Sequence, residues 1–181
     1  VSARVRVLVM ALASAALAGG SACRGTGNGV APAPLAAGDT VRGIVNLVGS
    51  EPLAVLVVAP RRGDVVVPSG DDVKQLRTLT GIEVTLAGAM TDDCVPDGGP
   101  RGARVFAVTQ FAVRAMNGVA AVDGTLQQEG ELWVLATSDG RHVPIIGLPQ
   151  ALESQAGARV YFVGPLDRPP QAYGIIKPAS R

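Results

Sequence analysis

Val41-Arg42-Gly43-Ile44-Val45 and Val122-Asp123-Gly124-Thr125-Leu126 are two short alternations of apolar and polar residues around a central glycine, 81 positions apart. Gly49 and Gly130 keep the same offset. Farther along, Leu76, Gly81, Val84 and Gly88 match Leu152, Gly157, Val160 and Gly164 at an offset of 76, so the second copy is five residues shorter across the intervening turns. Spacing held at several glycine and aliphatic positions reads as an internal duplication.

Each copy carries the same order of elements. In the second, alternation predicts strands over 120–127, 132–137, 141–147, 158–164 and 171–176, with Asp139-Gly140 as a hairpin turn. Pro149–Gln155 reads as a short helix, since proline is accepted in a first turn. In the first copy the strands fall near 40–48, 53–59, 64–68, 82–88 and 104–115. The helix falls near 71–80, where Val73, Leu76 and Leu79 recur. Period-two alternation sends Val84, Leu86, Val160 and Phe162 inward and Glu83, Thr85, Arg159 and Tyr161 outward, which makes Tyr161 a candidate exposed aromatic.

Five strands with a helix between the third and fourth is the order of the OB-fold, a small Greek-key barrel. The chain resembles that superfold over 41–116 and 120–178. The resemblance implies an all-β protein of two tandem five-stranded barrels with one short helix each; a β-sandwich or SH3-like barrel is the alternative. The superfold hosts many functions and so implies none by itself.

Composition narrows the field. The 181 residues are 48% hydrophobic but only 3% aromatic, so the core must be built from Val, Leu, Ile and Ala. The 23 glycines and 13 prolines suit many short strands joined by turns. With Arg4 and Arg6 at the start and no acid before Asp39, the chain from Cys23 onward holds 14 basic and 15 acidic residues. Such a balance lacks the overall basic footprint of a nucleic-acid partner.

The N-terminal stretch has three parts in order. Arg4 and Arg6 form a positive region, Val7–Ala18 an apolar run, and Gly19-Gly20-Ser21-Ala22 a small-residue end before Cys23. Residues 1–22 thus read as a signal peptide, too short in its apolar part to span a bilayer. Small residues before a cysteine resemble the lipobox of bacterial lipoproteins, with Gly20 at the usual aliphatic position and Leu17 the nearest leucine. The resemblance implies lipidation at Cys23, cleavage before it, and a protein held in the cell envelope by its membrane anchor. Ala16-Leu17-Ala18 offers the alternative, an ordinary cleavage before Gly19 that yields a secreted or periplasmic protein. Residues 23–40, rich in Gly, Pro and Ala, read as a flexible tether reaching on the order of 20–25 Å.

Chemistry-bearing residues are few. His142 is the only histidine and stands at the start of a hairpin strand, without the cysteines of a zinc site or a Gly-x-Ser-x-Gly elbow. Residues 89–103 form the longest loop of the first copy and hold Asp92, Asp93, Cys94 and Asp97. Their spacing is not that of an EF-hand, and an exposed, mobile acidic loop that serves as a contact site is expected. Cys94 is left without an intrachain partner if Cys23 is lipidated, and could pair with it otherwise. Trp133, Tyr161 and Tyr173 are three of the six aromatics, and all three lie in the second copy. The reading is a non-catalytic structural or interaction module without cofactor or metal, its partner an envelope protein or polymer. The alternative is a small-ligand or carbohydrate-binding module using Trp133, Tyr161 and Tyr173.

Overall fold

A computed structural model describes residues 38–179. Residues 1–22, expected as a signal peptide, Cys23 and most of the expected tether lie outside the described residues. The described chain is all-β with one short α-helix. Its strands are β1 (Asp39–Val48), β2 (Val55–Pro60), β3 (Val66–Ser69), β4 (Ile82–Thr91), β5 (Arg104–Met116), β6 (Val119–Glu129), β7 (Leu132–Ala136), β8 (His142–Pro144), β9 (Arg159–Val163) and β10 (Ala172–Lys177). Helix α1 (Val73–Arg77) lies between β3 and β4. Asp39 and Thr40, expected at the end of the tether, are the first residues of β1.

The first five strands close on themselves. β1 pairs antiparallel with β2 and β4, β2 with β3, and β4 with β5, while β3 and β5 run parallel. The circuit is therefore β1–β2–β3–β5–β4 and back to β1. The last five run β8–β7–β6–β9–β10. No ladder among the described residues joins β8 to β10; Ile146 N–H donates to the Leu166 carbonyl at 2.9 Å beyond β8. All ten strands belong to one sheet, because β5 and β6 pair at Ala115↔Ala120 and Met116↔Val119. Asn117 and Gly118 turn that hairpin with φ of 51° and 81°, the positive pair a tight two-residue hairpin needs.

The two halves share one register. Val41↔Leu86, Arg42↔Thr85, Gly43↔Val84 and Ile44↔Glu83 in β1–β4 correspond to Val122↔Phe162, Asp123↔Tyr161, Gly124↔Val160 and Thr125↔Arg159 in β6–β9. Val45↔Val58 corresponds to Leu126↔Leu135. Gly81 N–H donates to Val45 O, and Gly157 N–H to Leu126 O, at the same offsets. A Cβ on Gly43 would stand 2.5 Å from Ala59 O, and one on Gly124 2.5 Å from Ala136 O. Both strands bend close over their neighbours there, and only glycine fits. Gly88 and Gly164 are not alike: Gly88 lies within β4, its Cβ position 1.9 Å from Ala107 O, whereas Gly164 turns the chain after β9 with φ of 94°.

The halves differ where the second is shorter. Pro149–Gln155, expected as a helix, is a single 3-10 turn over Gln150–Leu152. Pro149 is extended, and Leu152 is the one side chain of that turn that is buried, so a longer helix would gain no further apolar contact there. In the first half both Leu76 and Leu79 are buried.

Val84, Leu86, Val160 and Phe162 are all fully buried, as alternation requires. Two main cores result. One gathers Val45, Val58, Leu76, Leu86, Phe106 and Phe111, and the other Leu126, Leu135, Leu152, Val160 and Phe162. The first also takes in Ala121, Val163 and Ile176 from the second half. The second half thus lays its outer face on the first. A third cluster lies outside β2 and β3, where Val55, Val57 and Val67 are covered by Val95 and Ala103.

Candidate functional site

Strand β5 pairs with β4 along one edge and, along the other, with β3 at Arg104–Ala107 and β6 at Ala115–Met116. Between those ladders, among the described residues, its second edge has no strand partner. Asp123 and Arg159 occupy that gap. Val113 N–H donates to Asp123 Oδ1 at 2.8 Å, and Arg159 Nη2 donates to Phe111 O at 2.6 Å. Arg159 also donates through Nε and Nη2 to Asp123 Oδ2, at 2.9 and 2.6 Å. Its guanidinium lies 4.1 Å from the centroid of the Phe111 ring, a cation–π contact. The two side chains replace a missing neighbour strand for Phe111 and Val113 and join the halves.

Arg114 is the extra residue of a bulge in β5 and donates through Nε to Thr85 Oγ1 at 2.9 Å. Burial lowers its guanidinium from its ordinary value, with Arg42 adding to the shift and Asp123 opposing it.

The three aromatics are not brought together. Tyr161, expected to be exposed, is half-buried because the second half's outer face is the inter-half contact. Burial pushes its hydroxyl above the ordinary tyrosine value. Its ring covers Gly174, where a Cβ would come within 2.5 Å. Trp133 packs against the second core. Tyr173 stands opposite Phe162, on the other face of the β9–β10 ladder from Tyr161, and is 40% exposed.

The loop expected over 89–103 is shorter, since β4 continues to Thr91 and β5 starts at Arg104. Asp92, Asp93, Cys94 and Asp97 are exposed, and Asp93 accepts the Thr91 hydroxyl at 2.8 Å. Val95 and Ala103 anchor the loop on β2 and β3, so it is docked rather than free-standing. The β1–β2 turn abuts it: a Cβ on Gly98 would lie 2.7 Å from Leu53 O. Leu53, Pro96 and Asp97 line a cleft of about 290 Å³ with Arg77 and Val73 of α1. Leu53 is 61% exposed at its rim. Sequence reasoning missed Leu53, because one leucine after Glu51-Pro52 carries no periodicity.

On another face, Arg42, Arg61, Arg62, Pro60 and Glu83 line a cleft of about 480 Å³. An adjoining cleft shares Arg42, Pro60 and Arg62 and adds Asp64 and Arg104. The Arg61-Arg62 pair in the β2–β3 turn was the visible signal for this face.

His142 is exposed, with Nδ1 against Glu129 Oε1. In the neighbouring turn the Asp139 carboxyl is lowered chiefly by the Thr137 hydroxyl hydrogen bond, with Arg141 assisting. Among the described residues, no three His, Cys, Asp or Glu side chains gather as metal ligands would, and Cys94 is unpaired. Among them, too, no helix is long and apolar enough to cross a membrane. Comparisons with protein-family models, curated proteins and solved structures give no match.

Proposed function

We propose that the chain is an exported envelope protein, lipid-anchored at Cys23, whose body is a non-catalytic interaction module of two tandem OB-like barrels. The basic, apolar and small-residue order of the first 22 residues supports export, and the cysteine that follows supports the anchor. The closed circuit β1–β2–β3–β5–β4 and the register repeated in β6–β10 support duplicated barrels. Asp123 and Arg159 hold the halves in one orientation, so the module presents a fixed surface.

The observation that carries the interaction reading is exposed Leu53, carried by the β1–β2 turn against a docked loop, with Asp97 and Arg77 around the same cleft. An exposed apolar side chain at a charge-rimmed cleft offers a protein partner apolar surface to bury. The barrel resemblance puts such ligand-bearing loops at this end. Two variants test the reading. Cys23→Ser should move the protein from the membrane fraction to the soluble one. Leu53→Asp should leave it on the membrane and folded, but lower the native mass of the detergent-extracted complex. An unchanged native mass would remove the interaction reading while leaving the anchor standing.

A further inference from the structure

Arg42 and Glu83 occupy the same register positions as Asp123 and Arg159, with the charges exchanged. The second pair is covered by the first half. The first pair, joined by Arg42 Nε and Glu83 Oε1 at 2.9 Å, opens on the cleft of about 480 Å³. The equivalent outer surface therefore has an occupant in one half, and an open cleft ringed by cations in the other.

Among the described residues its charge is only partly compensated. All 15 side-chain carboxylates lie between Asp39 and Asp167, inside the described residues. The body of 38–179 holds 12 basic residues against those 15 acids, yet four of the 12 line the two joined clefts with only Glu83 and Asp64 beside them. Among the described residues, no hydrogen bond or ion pair engages the guanidinium groups of Arg61, Arg62 or Arg104, nor the Nη atoms of Arg42. A net-acidic body that sets four arginines around one concave face focuses positive potential there. Guanidinium forks match tetrahedral oxyanions, which they bind bidentately.

We propose that this groove binds a phosphate-type oxyanion carried on a larger molecule, with Arg61 and Arg62 as its main ligands and Arg42 and Arg104 at its sides. The site goes beyond the interaction reading and uses a different surface, so each can fail alone. Gly63, with φ of 100°, turns the β2–β3 connection immediately after the two arginines and fixes where they emerge. The phosphate can come from a soluble phosphate ester or from a lipid headgroup.

The test uses the full chain with Cys23→Ser, so that acyl chains contribute nothing. Glycerol 1-phosphate is titrated at constant ionic strength with sodium acetate as the control. Flotation with phosphatidylglycerol and phosphatidylcholine vesicles distinguishes the sources. Saturable binding of glycerol 1-phosphate, weakened at least about tenfold by Arg61→Gln/Arg62→Gln, identifies a soluble ester as sufficient. Selective flotation with phosphatidylglycerol, lost in the same double variant, identifies a headgroup. Arg61→Lys/Arg62→Lys should recover only part of the binding, because it restores charge without the fork. The hairpin is exposed, and Arg104→Gln serves as a second variant should the double one misfold. Equal response to acetate, equal flotation with both lipids, or binding indifferent to these substitutions would overturn the proposal.

Discussion

Asp123 and Arg159 are joined by two hydrogen bonds at 2.6 and 2.9 Å and together satisfy the backbone of a strand in the other half. The Asp123 side chain is only 7% exposed and that of Arg159 25%. Removing one member strands the other's charge and frees the Val113 N–H or the Phe111 carbonyl. Asp123→Ala and Arg159→Ala should each cost about 2–4 kcal/mol of unfolding free energy. Urea denaturation measures it; losses under about 0.5 kcal/mol would show that the pair does not join the halves.

Gly43 and Gly124 face equivalent carbonyls, so their substitutions should behave alike. Gly43→Ala and Gly124→Ala should each destabilise by about 1–3 kcal/mol, since the obstructing atoms are backbone and cannot swing away. Thermal midpoints of the two variants check it. A large drop for one and none for the other would contradict the shared geometry.

Alkaline pH should act through Tyr161. Burial raises its folded-state pKa, so the folded protein holds a proton that the unfolded chain gives up above about pH 10. The sign follows: stability from this group is full below about pH 10 and declines as the pH climbs through the folded value. Tyr161→Phe should flatten that decline in denaturant midpoints taken from pH 9 to 11. An identical decline in the variant would place its cause elsewhere.

The acidic loop should prove structural. Val95 and Ala103 shield Val55, Val57 and Val67 from water, so Val95→Asp should cost about 2–3 kcal/mol. Hydrogen exchange should show protection at Gly99 and Ala103, whose N–H groups donate to Pro96 O and Pro100 O. Free exchange at both positions would mean the loop is not docked.

Much of the strand order was legible. Alternation placed Val84, Leu86, Val160 and Phe162 inward, and the glycine offsets anticipated the shared β1–β4 and β6–β9 registers. The loop's docking was not foreseen, although Val55–Val58 and Val65–Val67 are unbroken apolar runs of the kind buried on both faces. Tyr161 was misplaced because alternation separates two faces without saying which is wet. The outer face of the second half is covered by the first, a tertiary fact. Asp123 and Arg159 look like ordinary outward charges for the same reason. The Arg61-Arg62 pair was visible, but its meeting with Arg42 and Arg104 depends on strands far apart in the chain.

Native mass spectrometry of the protein extracted from membranes in detergent reads both parts of the central claim at once. The account predicts a chain beginning at Cys23 with the added mass of a lipid modification, held in a complex with a second polypeptide that Leu53→Asp releases. A monomer beginning at Gly19 and carrying no lipid would contradict it.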